Sequence, residues 1–290
     1  MKISGFTFVR NGTILGYPYL ESVMSLTQVC DEVIVAVGPS DDDTLSQLQN
    51  IKSDKIRIIE TTWNEQMSDR GYVYAQQKMI AQFNCTGDWA FYLECDEILH
   101  EDDFALIRAQ MAKYLANKEV EALVFDYYHF YGSSNYIANS PRWYQRAPRI
   151  IRNTIRSWAP DGLFWVVMDE NKKGRYPKAQ LMNCHIYHYG HVRKVEAMNE
   201  KINRVERYWG KAPSNFETYG NIDPQTLIKF KGAHPQSIKN WLDRYTESEL
   251  HLNPKYVLTA RDKKHRVMMI IGKLFGGVDW SKKHYKLIKN

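Results

Sequence analysis

Along the first 132 residues, apolar runs closed by turn residues alternate with stretches of helical spacing. Residues 2–9, KISGFTFV, predict a strand, and Leu20, Val23, Met24 and Leu26 recur at the spacing of a helix over 15–29. DEVIVAVG (31–38) is a near-continuous apolar run rich in β-branched residues, the pattern of a strand buried on both faces. Gly38-Pro39-Ser40 ends it, and Ser40 to Asp43 supply caps for a helix through Leu45 and Leu48. IRIIET (56–61) predicts a third strand, 71–84 a helix, DWAFYL (88–93) a fourth strand and about 102–116 another helix. ALVFDYYHFYG (122–132) reads as a further strand or a bent pair.

Repeated strand–helix alternation predicts an α/β fold: an open, mostly parallel sheet with helices on both faces. Ligands of such sheets bind outside the carboxyl ends of the strands. From about 133 to 192 the pattern breaks into short mixed strands and long loops, and helices follow over 194–209 and 235–246. The predicted division is one domain over 1–194, with a nucleotide half at about 1–100 and an acceptor half at about 101–194. A helical extension with a basic amphipathic tail occupies 195–290.

Against that frame the stretch FYLECDEILHEDD (91–103) is unusual, because six carboxylates follow directly on a buried strand. In an extended segment residues i and i+2 share a side, so Glu94 and Asp96 face one way and Glu97 the other. Hard divalent cations such as Mg²⁺ or Mn²⁺ want carboxylate oxygens and keep waters and substrate phosphates as further ligands. Glu101, Asp102 and Asp103 read instead as the acidic start of the next helix. In CHIYHYGHVR, His185, His188 and His191 read either as structural histidines bonded to backbone, the reading preferred for His185 and His191, or as a source of an extra imidazole ligand for a metal. Either a grip on a charged acceptor or a scatter of surface charges explains Arg142, Arg146, Arg149 and Arg152. Trp143, Trp158 and Trp165 suit sugar stacking or core equally.

Composition narrows the classes. Of 290 residues 44% are hydrophobic and 25% charged, enough apolar content for a full core. No run of ~18 apolar residues predicts a transmembrane helix, and the N-terminal residues lack the apolar stretch of a signal peptide. Four cysteines far apart, with no CxxC, point to a reducing, cytoplasmic setting. Net charge is +6, with much of the excess in residues 261–290. That clustering, with no recognisable module, argues against nucleic acid as a partner. RVMMIIGKLFGGVDWSKKHYKLIKN suits an interfacial helix on the inner face of the cytoplasmic membrane, a helix packed on the body, or a dimer contact.

Taken in order, VRNG, DEVIVAVGPSDDDT, IRIIE, GDWAFYLECDE and HYGHVR resemble family 2 glycosyltransferases of the GT-A fold, nearest to bacterial members that build surface polysaccharide or lipopolysaccharide. The resemblance covers about residues 2–195. It implies transfer of a sugar from a nucleotide-sugar to a glycan or lipid-linked glycan acceptor, inverting and dependent on Mg²⁺ or Mn²⁺. Glu94-Cys95-Asp96 stands at the metal-binding DXD position, with Glu where the strict pattern has Asp, and His188 at the late histidine ligand. The nucleotide-sugar would be met by Arg10, Asn11, Ser40, Asp42, Arg70, Lys78, Glu94, Asp96 and Arg193. Gly38-Pro39 replaces the acidic pair usual before the serine. Asp161, in WAPDG, stands where the base aspartate is kept, with Asp169 and Glu170 as competitors. A non-catalytic nucleotide-sugar or glycan binder on the same fold is the alternative that the altered motif suggests.

Overall fold

The computed structural model describes residues 1–212, 214–245, 248–275, 279–281 and 283–288; Lys282 and Lys289, part of the basic tail, lie outside them. The elements run β1 (Ile3–Val9), α1 (Tyr19–Val29), β2 (Glu32–Val37), α2 (Thr44–Gln49), β3 (Ile56–Glu60), α3 (Tyr72–Phe83), β4 (Trp89–Tyr92), β5 (Glu97–Leu99) and α4 (Phe104–Leu115). Then come β6 (Ala122–Tyr131), β7 (Tyr136–Ala138), β8 (Arg146–Arg152), β9 (Ser157–Trp158), β10 (Val166–Met168), β11 (Gly174–Arg175) and β12 (Lys178–His191). The chain continues through α5 (Val195–Val205), β13 (Leu227–Lys229), α6 (Lys239–Leu242), α7 (Ala260–Leu274) and β14 (Lys286–Leu287).

Among the described residues one 11-stranded sheet forms, with the path β13-β7-β6-β8-β4-β1-β2-β3. β3, β2, β1 and β4 are parallel. β8 runs against both β4 and β6, and β12 lies parallel to β6. The open, mostly parallel sheet that the alternation predicts is therefore present. Strand pleating explains why β2 is apolar from Val33 to Val37. Val33 and Val35 pack with Val23, Leu26 and Phe91 on one face, while Ile34 and Ala36 pack with Ala81 and Trp165 on the other. Each buried Val, Leu, Ile or Phe among them contributes about 1.5–3 kcal/mol.

Chain order places the site. β1 leads to β2 and β3 on one side, and β4 returns to its other side. The carboxyl ends of β1 and β4 thus border the point where strand order reverses, where an open sheet leaves a crevice.

One predicted element differs from the expectation. The helix over 235–246 is only α6, four residues long, between 3₁₀ turns at Gln236–Ile238 and Asp243–Tyr245. Ile238 and Trp241 are its buried apolar anchors, too few to hold a longer amphipathic face. α5 and the 3₁₀ turn Glu206–Trp209 return over the carboxyl ends of the strands and supply a wall of the crevice.

Candidate active site

β4 ends at Tyr92, and Leu93 to Asp96 turn the chain into β5, with Glu97 N–H donating to the Glu94 carbonyl at 3.0 Å. The Asp96 carbonyl accepts from Tyr189 N–H of β12 at 2.8 Å. Asp96 is buried. Its Oδ2 lies 3.3 Å from Lys201 Nζ and 3.8 Å from Arg193 Nη2, and its Oδ1 lies 3.6 Å from His188 Nε2. Burial works to raise this carboxyl, but Lys201, His188 and Arg193 outweigh it and hold the pKa well below the usual range.

Glu97 points the other way. Its oxygens take a two-pronged bond from Arg149, at 2.7 Å from Nε and 2.6 Å from Nη2, and a third bond from the Tyr127 hydroxyl at 2.9 Å. Arg149 Nη2 also reaches Glu94 Oε1 at 2.8 Å. One buried guanidinium thus ties both flanks of Asp96 in place.

The histidines are fixed by acceptor chemistry. His129 Nε2 lies 2.7 Å from the Tyr144 carbonyl oxygen, which can only accept, so Nε2 carries a proton. Burial, then the neighbouring His188, depresses the His129 pKa well below its ordinary value, which keeps the ring neutral with its lone pair on Nδ1. That lone pair faces His188 Nδ1 at 2.8 Å. His188 therefore donates from Nδ1, and in its neutral form presents an Nε2 lone pair to Asp96.

Among the described residues no group of three or more His, Cys, Asp or Glu side chains is assembled for a metal. Asp96 and His188 make a pair that fits one cation, because two bonds of ~2.1 Å span their separation. Gly190 keeps the space between them clear. A Cβ there would lie 2.5 Å from His188 Nε2 and 2.8 Å from Asp96 Oδ2. Gly190→Ala is expected to push these groups apart at a cost of about 1–3 kcal/mol, read as a lowered thermal midpoint. An unchanged midpoint would mean that the pair is not tightly framed.

In front of Asp96 a cavity of about 220 Å³ opens. Trp63, Tyr74, Tyr208 and Trp209 give it an aromatic wall, with Tyr208 5.5 Å from Trp63 and 5.6 Å from Tyr74, edge to face. Its cations are Arg10, Lys201, Arg204 and Arg207. Arg10 donates to the Pro39 carbonyl and to Glu65 and Tyr208. Arg204 bonds Asp41 at 2.6 Å and Arg207 bonds Glu65 at 2.7 Å. Residues 201–209 are thereby strapped to the loops after β2 and β3.

Of the residues predicted from sequence, Arg10, Asn11, Glu94, Asp96 and Asp161 line this cavity. Others stand behind it. Ser40 accepts from Asn11 N–H, and Asp42 accepts from the Ile14 and Thr44 N–H groups, so both shape the loops rather than the wall. Asn11 sits at φ 55° with its side-chain oxygen on Asp41 N–H. Arg70 stands off the wall, with its side chain 93% exposed. Lys78 differs from the expectation. It is buried, with its ammonium 4.0 Å from the Tyr92 ring, 3.8 Å from the Trp165 ring and bonded to the Gly162 carbonyl at 3.1 Å. It holds the loop that carries Asp161 rather than meeting phosphate. Arg193 lies behind Asp96, bonded to the Leu15 carbonyl, with no hydrogen-bond partner for Nε among the described residues.

Asp161 Oδ1 accepts from Leu163 N–H at 3.0 Å, and its loop presses on α3 at Gly162, where a Cβ would meet Tyr74 at 2.8 Å. Asp169 closes the β10–β11 turn by accepting from Lys173 N–H. His185 stacks on Tyr128 and His191 packs on Trp143 and Tyr131, which leaves His188 as the histidine facing Asp96. The predicted arginine group is dispersed. Arg149 clamps Glu94 and Glu97, Arg152 caps carbonyls after α4, and Arg146 pairs with Asp126. Trp165 is core and Trp158 is surface. The sequence reading missed Lys201, Arg204, Arg207, Tyr208 and Trp209. Their signal was cations every third residue along a predicted helix.

No family model matches the chain, and no curated protein does. Among solved structures the chain is similar to S. aureus TarS at 14% identity and TM-score 0.41, over 70% of this chain and 39% of that one. It is similar to TarS 1-349 at 14% identity and TM-score 0.40, over 69% and 64%. For TarS 1-349 in complex with UDP the values are 14%, 0.41, 70% and 65%. The chain spans less than two thirds of each of these structures.

Proposed function

We propose that the chain is a nucleotide-sugar-dependent glycosyltransferase. The observation that carries this reading is the buried, ionised Asp96 at the carboxyl end of β4, facing a cavity with an aromatic wall and four basic side chains. Aromatic rings suit a nucleobase and a sugar face, and the cations suit a diphosphate. Asp96 and His188, with Glu94 beside them, would hold Mg²⁺ or Mn²⁺, which when bound neutralises diphosphate charge. Lys201 and Arg204 neutralise the departing phosphate from the other side. Asp161 takes the proton of the acceptor hydroxyl as its oxygen bonds to the anomeric carbon and the bond to the diphosphate breaks, inverting that carbon. The acceptor class we infer is a glycan or lipid-linked glycan of the bacterial surface, reached from the cytoplasm.

The test is calorimetric titration with nucleoside diphosphates and their sugar conjugates, with and without Mn²⁺, followed by a transfer assay. Lys201→Ala is expected to weaken diphosphate binding on the order of 10-fold or more. A chain that binds no nucleotide, or binds one without transfer to any glycan acceptor, would overturn the reading.

His129 has its own expected effect. His129→Phe removes the acceptor for His188 Nδ1–H, and should shift the His188 tautomer in metal-free protein, read from imidazole ¹⁵N shifts. His129→Gln, whose carbonyl accepts, should restore both that tautomer and Mn²⁺ affinity, while Phe should cost about 10–100-fold in affinity. An unchanged tautomer in the Phe variant would show that His129 does not set it.

A further inference from the structure

α7 begins with a two-way cap between Thr259 and Asp262 and is tied to the body by Arg266, which bonds Asp223 at 2.6 and 2.7 Å. Gly272 is its buried position. The opposite face carries Val267, Ile270, Ile271 and Leu274, the i, i+3, i+4, i+7 spacing of one helical stripe, at 55, 60, 38 and 78% exposure, and Phe275 follows at 72%. This apolar stripe faces outward, the reverse of a packed surface helix. At about 100° per residue, Lys263 falls in line with the stripe, Lys264 on one flank and Lys273 on the other. All three lysines are exposed. The single acid of the helix, Asp262, lies off the stripe and is engaged by Thr259 and Tyr256.

We infer that α7 docks the chain on an anionic lipid surface. Val267, Ile270, Ile271 and Leu274 enter the boundary between headgroups and acyl chains, and Lys263, Lys264 and Lys273 meet the phosphates. Charge selects this occupant over a second copy. A two-fold contact through the stripe would bring two basic rims together with no acid to balance them. The inference is independent of the reaction proposed above, because none of these residues lines the cavity.

Co-sedimentation of the full chain with vesicles tests it. Binding to phosphatidylglycerol–phosphatidylcholine vesicles, weakened by salt, and little binding to phosphatidylcholine alone are expected. Joint replacement of Lys263, Lys264 and Lys273 by Ala should weaken that binding on the order of 10²-fold. Ile270→Glu should abolish it without lowering the thermal midpoint. No binding, equal binding to neutral vesicles, or a dimer in sedimentation equilibrium that Ile270→Glu dissociates would each overturn the proposal.

Discussion

Asp96→Asn is expected to lower sugar transfer by about 10²–10³-fold while keeping the shape of the turn. Asn matches the volume but removes the charge on which Lys201, Arg193 and His188 converge. Lys201 and Arg193 are then left beside a neutral group, and the cation pair with His188 loses its anionic member. Initial rates at saturating donor, alongside Mn²⁺ titration followed by calorimetry, measure both effects. A variant that turns over normally would remove Asp96 from the chemistry. The charge also has a pH signature. The folded carboxyl lies below its unfolded value, so its contribution to stability is present above about pH 4 and is lost as pH falls through the folded pKa. Wild type should gain stability over the variant as pH rises out of strong acid, and the two should converge at the acid end.

The second large effect is on folding. Arg149→Met strands Glu97 in the core without its counter-charge, at an expected loss of about 3–5 kcal/mol in urea denaturation. Glu94 and Glu97 would also be left as two facing carboxylates. Adding Glu97→Leu should recover much of the loss, since an apolar pair of similar volume avoids the desolvation of two ions. A single-variant cost near zero would show that the clamp does not hold the turn.

Much of this was legible locally. The apolar run of β2 announces a strand buried on both faces, and Asp96 and Glu97 do point apart, but parity misplaced Glu94, which shares Arg149 with Glu97 because residues 93–96 turn rather than run extended. Ser40 and Asp42 were found as chemistry-bearing residues but act as turn acceptors, because short polar side chains bond nearby backbone whenever the loop allows. Lys78 shows where local reading stops. Its helical position is clear, but only packing puts Tyr92 and Trp165 across its ammonium. The α5 wall escaped for the same reason. Its contacts to Asp41 and Glu65 join residues 142 or more apart in the chain, a separation that periodicity does not report.

The latch that ties one wall of the cavity to the loops after β2 and β3 consists of Arg204–Asp41, Arg207–Glu65 and Arg10–Glu65, pairs whose acidic partners lie at the surface. Such pairs are individually weak and are screened by ions. We expect ionic strength to act as a throttle on product escape: added salt loosens the latch and shortens nucleotide residence, even as it weakens the grip on diphosphate. Turnover limited by release would then rise with moderate salt before falling, and stopped-flow release rates that stay flat with salt would exclude that behaviour.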